Sequence, residues 1–301
     1  MHVDDIVSRL WPGAQAAVES LGGGITNENY RVTVGGAAYV VRIGGKDTEL
    51  LGIDRAVEHA ATLAAAAAGV GPEVVAFLED EGVLVTRFVA GRPVPPEEMR
   101  RPEAIRRAAA ALRRFHEGRP IAGRFDSFRI VEAYRDTAAA HGVRIPEAYA
   151  WARERAAEVE RARGAQPLRP CHCDLLNANF IDDGSSIRIV DWEYAGMGDV
   201  FFDLANFSIN HELAGDENRV LLEAYFGKAR GREFASLVLM RFMSDFREAM
   251  WGVVQQGISR LDFDFVAYAD EHFARLERTA AEPAFAEALE LLQSTQAQPS
   301  Q

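Results

Sequence analysis

Short runs of alternating apolar and polar residues dominate the first 90 positions of the chain. This period of two predicts β-strands, and the Gly35-Gly36 pair between two of the runs is typical of a hairpin turn. An Ala-rich stretch instead predicts a helix over residues 55–68, with Asp54 as its N-cap. The predicted strands are residues 30–34, 39–43, 74–79 and 82–88. We therefore expect a small N-terminal lobe over residues 1–90, made of an antiparallel sheet and one helix.

After Gly91 the pattern changes to the longer period that is typical of amphipathic helices. Prolines within residues 93–96 mark a short linker, and residues 178–192 are the only strand-like interruption. We expect residues 294–301 to form a frayed tail. The predicted helices are residues 102–117, 129–140, 147–163, 216–229, 233–258 and 264–279. The pattern thus predicts an α+β protein of two lobes, in which the larger lobe, residues 91–301, is mainly helical.

Composition and charge narrow the possible partners. The chain of 301 residues has a formal net charge of −12, which argues against a nucleic-acid or anionic-membrane partner. Its two cysteines, Cys171 and Cys173, lie too close together for a ready structural disulfide, which indicates a reducing compartment. The N-terminal residues do not resemble a signal peptide, and no apolar run approaches the roughly 20 residues of a membrane span. We expect a soluble cytoplasmic protein, of an oligomeric state that the sequence leaves open.

Two carboxylates and a carboxamide surround the strand-like interruption. Asp174 and Asn179 stand five positions apart, and Asp191 follows the apolar strand that comes next. Between them, Asp183-Gly184 predicts a hairpin turn that brings Asp191 back beside Asn179. Carboxylate and amide oxygens bind Mg²⁺, and a further carboxylate can orient a hydroxyl that attacks a phosphate. The segment therefore predicts phosphoryl transfer from ATP with Mg²⁺.

This segment resembles the protein-kinase signature H-R-D-L-x-x-x-N followed by D-F-G. The resemblance implies that Asp174 is the catalytic base and that Asn179 and Asp191 are catalytic metal ligands. Cys173 replaces the arginine of the signature, and no A-P-E follows Asp191. We therefore expect a small-molecule substrate rather than a protein.

The N-terminal lobe contains counterparts of the nucleotide-binding residues. Arg42 stands where the strand lysine of V-A-I-K is expected, and its planar fork is suited to phosphate oxygens. Glu58, on the following helix, is the expected ion-pair partner of Arg42. A glycine-rich turn precedes both and can cover phosphates with its backbone amides and polar side chains. The residues predicted to bind nucleotide in this turn are Gly24, Thr26, Asn27 and Asn29.

Several longer blocks look like the choline/ethanolamine kinase family, and most like its bacterial members. The blocks are LGGGITNENYRV, VVRIGG, LLGIDRAVEH, VTRFVAG, HCDLLNANF and VDWEYAGMGDVFFDLANF. The wider superfamily includes the aminoglycoside phosphotransferases and shares the two-lobed protein kinase-like fold. The resemblance implies that Arg87, Phe88 and Val89 contact adenine, and that Asp203 braces the loop around Asp174.

The resemblance also implies a site for a small cationic alcohol, with choline as the first choice. A quaternary ammonium cannot donate a hydrogen bond, so it is bound by aromatic faces and nearby carboxylates. Animal choline kinases have a second Trp at the position of Glu248, so ethanolamine stays open as the acceptor. The residues predicted to contact the acceptor are Asp174, Glu193, Tyr194, Glu248, Trp251, Phe263 and Tyr268.

Other functions stay open on the sequence alone. The same two lobes can serve a thiamine or aminoglycoside phosphotransferase. From different classes, the chain can be a catalytically inactive nucleotide-binding regulator or a purely structural interaction protein. Neither Asp174 nor the two metal-binding positions are missing, which favours an active enzyme.

Overall fold

The N-terminal part of the molecule is a five-stranded antiparallel sheet in the order β1-β2-β3-β5-β4. The structure is a computed structural model that describes residues 2–22 and 26–296. A helix, α1 (Val3–Leu10), precedes the sheet. The strands are β1 (Ala16–Leu21), β2 (Asn27–Val34), β3 (Ala37–Gly44), β4 (Val74–Leu78) and β5 (Val83–Arg87). The four strands that the sequence pattern predicts are thus confirmed.

Two elements of this part are not predicted by the pattern, namely α1 and β1. Strand β1 lies at the edge of the sheet and most of its side chains are exposed, so it lacks an apolar-polar alternation. The hairpin between β2 and β3 does follow the prediction, because Gly35 and Gly36 both have positive φ, at 56° and 82°. The apolar face of the sheet packs with α1, through Val3, Ile6, Val7, Val32, Val41, Val83 and Val85.

Helix α2 (Arg55–Ala67) lies between β3 and β4 in the sequence but packs against the helical part of the molecule. As predicted, the Asp54 carboxylate caps it and accepts from the amides of Ala56, at 2.8 Å, and Val57, at 3.1 Å. Its buried side chains Ala61 and Ala65 belong to the core of the helical part rather than to the core of the sheet. The division of the chain at residue 90 stays a prediction.

Nine helices follow in the part of the chain that the structure describes. They are α3 (Pro96–Met99), α4 (Pro102–His116), α5 (Ser127–Ala140), α6 (Ala148–Arg163), α7 (Val200–Asn210), α8 (Gly215–Phe226), α9 (Gly231–Ile258), α10 (Phe265–Ala281) and α11 (Pro283–Gln296). Helix α9 is central, since α5, α7, α10 and α11 all pack against it. None of the helices in residues 2–22 and 26–296 is long and apolar enough to cross a membrane.

The sequence pattern misses three of these helices, namely the short α3, which begins at the end of the predicted linker, and the longer α7 and α11. Helix α7 is buried at every position from Phe202 to Ile209, so it has no polar face to give a period. Helix α11 follows Pro283 and extends to Gln296. The expected frayed tail is therefore wrong for residues 294–296, and its remaining residues lie outside the described part.

Short strands separate the helices and hold the segment around Asp174. They are β6 (Arg92–Pro93), β7 (Leu168–Cys171), β8 (Phe180–Asp182), β9 (Ile187–Ile189) and β10 (Gly196–Asp199). Strands β8 and β9 form the predicted hairpin, in which Phe180 pairs with Ile189. The Val190 amide then donates to the carbonyl of Asn179 at 3.0 Å. This bond brings the residue before Asp191 back to Asn179, as the sequence predicts.

Candidate active site

Residues 172–179, called here the Asp174 loop, are held from below by a buried carboxylate on α7. Asp203 accepts from the backbone amides of His172, at 2.7 Å, and Cys173, at 2.8 Å. The third partner is Nε2–H of His116, at 2.9 Å, and Nδ1 of the same ring lies 2.7 Å from the Tyr225 hydroxyl oxygen. The brace that the family resemblance implies is therefore present. It keeps Cys173 at a positive φ of 67°, which turns the chain into Asp174.

Further hydrogen bonds fix the backbone on both sides of Asp174. Nδ1 of His172 accepts from the Asp174 amide at 3.2 Å, and Nε2–H donates to the Val190 carbonyl at 3.0 Å. Burial lowers the pKa of His172, which agrees with this neutral tautomer. Oδ1 of Asn206 accepts from the Leu175 amide at 2.5 Å. The Asp174 loop therefore has little freedom to move.

The Asp174 carboxyl is buried beside a second buried group, Arg247 of α9. NH1 of Arg247 lies 3.3 Å from Oδ1 of Asp174. Burial raises the pKa of Asp174 to about 8, an effect that Arg247 opposes and the nearby carboxylate of Glu248 reinforces. A carboxyl with a raised pKa is a stronger base when ionised, so the position suits a group that accepts a proton from a hydroxyl.

Asn179 and Asp191 offer the oxygen ligands that Mg²⁺ prefers. Nδ2 of Asn179 donates to the Asp174 carbonyl at 2.9 Å, which leaves its amide oxygen as the ligand atom. Oδ1 of Asp191 accepts from Arg42 at 2.6 Å. The bond between the Val190 amide and the Asn179 carbonyl keeps Asn179 and Asp191 close to each other. An amide oxygen and a carboxylate oxygen together are ligands of the kind that Mg²⁺ prefers.

Arg42 of β3 connects the sheet to Asp191. NH1 donates to Oε1 of Glu58 at 2.8 Å as well as to Asp191, and Nε donates to Oδ1 of Asn29 at 3.2 Å. The ion pair between Arg42 and Glu58 that the sequence predicts is therefore present. The neighbouring carboxylates of Asp191, Glu58 and Glu193 raise the pKa of Arg42 against the effect of burial, so the guanidinium stays charged.

Glu193 is bonded to residues of the glycine-rich turn, and its predicted contact with the acceptor stays a prediction. Its carboxylate accepts from the Thr26 hydroxyl at 2.6 Å and from Nδ2 of Asn27 at 2.8 Å. Arg55 lies 3.3 Å from the same carboxylate and also donates to Oδ1 of Asn27 at 2.7 Å. Burial and the nearby Asp191 carboxylate raise the pKa of Glu193, and the hydrogen bonds from Thr26 and Asn27 counteract only part of this rise. Of the four residues predicted in this turn, Thr26 and Asn27 are thus bonded to Glu193, Asn29 is bonded to Arg42, and Gly24 lies outside the described residues.

The other predicted acceptor residues do meet in one cluster. Nε1 of Trp251 donates to the Tyr194 hydroxyl at 2.9 Å, and the Tyr268 hydroxyl donates to Oε2 of Glu248 at 2.9 Å. The rings of Trp251 and Tyr268 have centroids 5.5 Å apart. Phe263 lies at the outer end of this cluster, where its ring centroid is 6.0 Å from that of Tyr268 and 46% of the residue is exposed.

The predicted adenine contacts are located where β5 leaves the sheet. The amides of Arg87 and Phe88 already donate to the carbonyls of Glu73, at 2.8 Å, and Ala38, at 3.0 Å. Of the three predicted residues, Val89 is therefore the best placed to offer a backbone amide to a base.

Sequence reasoning misses two arginines that organise the site. Arg55 bridges Glu58, at 2.7 Å, and Asn27, and its only sequence signal is its position three residues before Glu58 on a helix. Arg247 and Glu248 are two adjacent charges in the middle of α9, where both are buried. A charged pair in a buried helical stretch is a signal that could have identified Arg247.

Comparison with known proteins identifies the family of the chain. A model of the phosphotransferase enzyme family matches residues 17–234. A crystal structure of a choline/ethanolamine kinase family protein from Mesorhizobium loti is 34% identical with a TM-score of 0.84, and the match covers 98% of this chain and 100% of that one. The chain belongs to the choline/ethanolamine kinase family. This choline/ethanolamine kinase family member is thus a small-molecule kinase, a phosphotransferase with an alcohol as acceptor, and the predicted protein kinase-like fold is confirmed.

Two more distant relatives are each 26% identical to this chain. Ethanolamine kinase 2 of Rattus norvegicus is 26% identical over 303 aligned residues, which cover 86% of this chain and 75% of that protein. Protein LicA of Haemophilus influenzae is 26% identical over 213 residues and 67% of this chain. The match spans 61% of the length of LicA.

Proposed function

We propose that this kinase transfers the γ-phosphate of ATP to the hydroxyl of a small cationic amino alcohol, with choline as the preferred acceptor. The observation that carries this proposal is the location of the buried Asp174 carboxyl. Through Arg247, it is connected to the cluster of Tyr194, Glu248, Trp251 and Tyr268. A hydroxyl on a cation bound by these rings would lie next to the group that accepts its proton.

The residues of the chain contribute to the reaction in two ways, by positioning the reactants and by neutralising charge. Asp174 orients the attacking hydroxyl and takes its proton. Asn179 and Asp191 would hold Mg²⁺, which would supply positive charge to neutralise the phosphates. NH1 and Nε of Arg42 are bonded to protein groups, so NH2 is the nitrogen through which Arg42 binds phosphate. Val89 offers its backbone to adenine.

Choline is preferred over ethanolamine because of what surrounds Glu248. Its Oε1 accepts from Arg247 at 2.6 Å and its Oε2 accepts from Tyr268 at 2.9 Å. Both carboxylate oxygens are thus already bonded, so the site offers aromatic faces rather than a free acid to an ammonium group. Each aromatic contact with a quaternary ammonium contributes about 0.5–2 kcal/mol.

The test is a screen of acceptor-dependent ADP release with choline, ethanolamine, thiamine and aminoglycosides, each with and without Mg²⁺. We expect the highest kcat/KM with choline and no turnover without a divalent metal. A higher kcat/KM with any other acceptor would replace choline by that acceptor. ATP binding without turnover on any of them would favour an inactive nucleotide-binding regulator. Absence of any thermal stabilisation by ATP and Mg²⁺ would favour a structural interaction protein.

A further inference from the structure

Arg247 occupies an unusual position for a charged side chain. Its side chain is 1% exposed and that of its neighbour Glu248 is 3% exposed, on the face of α9 that meets the Asp174 loop. NH1 lies 2.6 Å from Oε1 of Glu248 and 3.3 Å from Oδ1 of Asp174. The guanidinium carbon also lies 4.4 Å from the ring centroid of Tyr194. One buried cation thus joins the proposed base to the wall of the acceptor cluster.

Burial of such a charge needs an explanation. A buried ion pair contributes little to stability compared with apolar side chains of similar volume, because removing both charges from water is costly. The apolar residues Phe246, Ala249 and Met250 beside Arg247 are fully buried. The other buried charge of this stretch, Asp245, is paired with His272 and Arg275 instead. Packing alone therefore does not require an arginine here.

The contact with Asp174 supplies a reason. Among the hydrogen bonds of the described residues, the one from Arg247 is the only one that the Asp174 carboxylate receives. This bond holds Oδ1 and leaves Oδ2 to accept the proton of the acceptor hydroxyl. Arg247 is itself fixed from the other side, because the Tyr268 hydroxyl holds Oε2 of the same Glu248 that binds it.

We propose that Arg247 is a positioning residue for the transfer reaction, which fixes the rotamer of the Asp174 carboxylate so that Oδ2 faces the acceptor hydroxyl. The proposal rests on the proposed role of Asp174 as base. Arg247 acts through Asp174 and touches neither nucleotide nor the transferred phosphoryl group. Misplacement of a catalytic group by about 1 Å lowers a rate by about 100-fold, which sets the expected size of the effect.

A double-mutant cycle separates positioning from a merely structural ion pair. The variants are Arg247→Met, Asp174→Asn and both together, with acceptor-dependent ADP release at saturating substrates as the readout. We expect Arg247→Met to lower kcat about 100-fold and to change KM for ATP less than about twofold. If Arg247 acts only through Asp174, the double variant has a kcat within about threefold of Asp174→Asn alone.

A matched control is available on the same helix. Arg241 of α9 donates to the Ser208 hydroxyl at 2.9 Å and to the Leu213 carbonyl at 2.8 Å, away from the Asp174 loop. We expect Arg241→Met to lower the melting temperature while its kcat stays within about twofold of wild type. Arg247→Lys keeps the charge but replaces NH1, which makes both bonds, by the nitrogen of a differently shaped side chain, so we expect a kcat between those of Arg247→Met and wild type.

The outcomes distinguish this proposal from the proposed function. If Asp174→Asn is slow but Arg247→Met has the wild-type kcat, only the positioning role of Arg247 is overturned. The positioning role is also overturned if adding Arg247→Met lowers the kcat of the Asp174→Asn variant by the same factor as it lowers the kcat of wild type. The two effects are then independent. A wild-type kcat in Asp174→Asn overturns both proposals. If Arg247→Met does not fold, the cycle is repeated with Arg247→Lys, for which wild-type kcat is the contradicting result.

Discussion

His211 gives a pH dependence of stability that can be worked out from the structure. Its ring is 2% exposed and packs between Phe207 and Phe180, at centroid distances of 4.3 Å and 5.3 Å. Nδ1–H donates to the Phe207 carbonyl at 2.8 Å, and Nε2 is buried with no hydrogen-bond partner in the described residues. Burial lowers the pKa of His211 to about 4 from its usual 6.5. Protonation therefore requires a charge in an apolar site next to the strand that follows Asn179.

The sign follows from which state binds the proton. Below pH 6.5 the unfolded chain protonates this histidine while the folded protein does not, so the free energy of unfolding falls as the pH falls towards 4. Integration of the two titrations gives a loss of about 2 kcal/mol between pH 7 and pH 5, and up to about 3 kcal/mol at lower pH. His211→Phe removes the titrating group and keeps an aromatic ring in its place.

Urea unfolding at pH 7 and pH 5 measures the effect as a difference between proteins, so that other titrating groups cancel. We expect wild type to lose about 2 kcal/mol more than His211→Phe over this interval. His141→Gln is the control, because it removes an exposed histidine at the end of α5, and it should lose as much as wild type. Equal losses in wild type and His211→Phe would refute the reasoning.

Three further substitutions test other parts of the site. Asp203→Ala removes the carboxylate that accepts three hydrogen bonds. We expect it to lower the free energy of unfolding by about 3–5 kcal/mol in urea titrations. A change below about 1 kcal/mol would contradict the role of Asp203 as a brace. Gly45→Ala places a Cβ 2.2 Å from the Thr26 carbonyl oxygen and so displaces the glycine-rich turn. We expect KM for ATP to rise about tenfold with little change in KM for choline. The opposite pattern would disprove the assignment of this turn to nucleotide binding. Trp251→Leu should raise KM for choline about tenfold and leave KM for ATP unchanged, whereas an unchanged KM for choline would remove Trp251 from the acceptor site.

Local signals in the sequence are enough to predict much of the site. The hairpin turn at Asp183-Gly184 sets the register of β8 and β9, so the approach of Val190 to Asn179 follows from a few adjacent residues. The pair of Arg42 and Glu58 is predictable because a strand and the following helix carry it. Elements with no period, such as the fully buried α7 and the exposed edge strand β1, leave no such signal.

Contacts between distant segments are where the sequence falls short. Glu193 follows Asp191 by two residues, but its carboxylate meets Thr26 and Asn27 across the chain, which no local pattern specifies. Arg247 reaches Asp174 only because α9 packs beside the Asp174 loop. The spacing of residues predicts which groups lie on one element, whereas packing decides which groups from different elements meet.

The kcat of Asp174→Asn tests the central claim most directly, which is that this carboxylate accepts the proton of the acceptor alcohol. Asp182→Asn is the matched control, since Asp182 lies on the β8–β9 hairpin that follows the Asp174 loop. It pairs with Arg107, whose NH2 lies 2.7 Å from Oδ1 of Asp182. We expect Asp174→Asn to lower kcat for choline by about 10²–10⁴ while its Kd for ATP stays within about threefold, and Asp182→Asn to keep wild-type kcat. A kcat of Asp174→Asn equal to that of wild type would contradict the account.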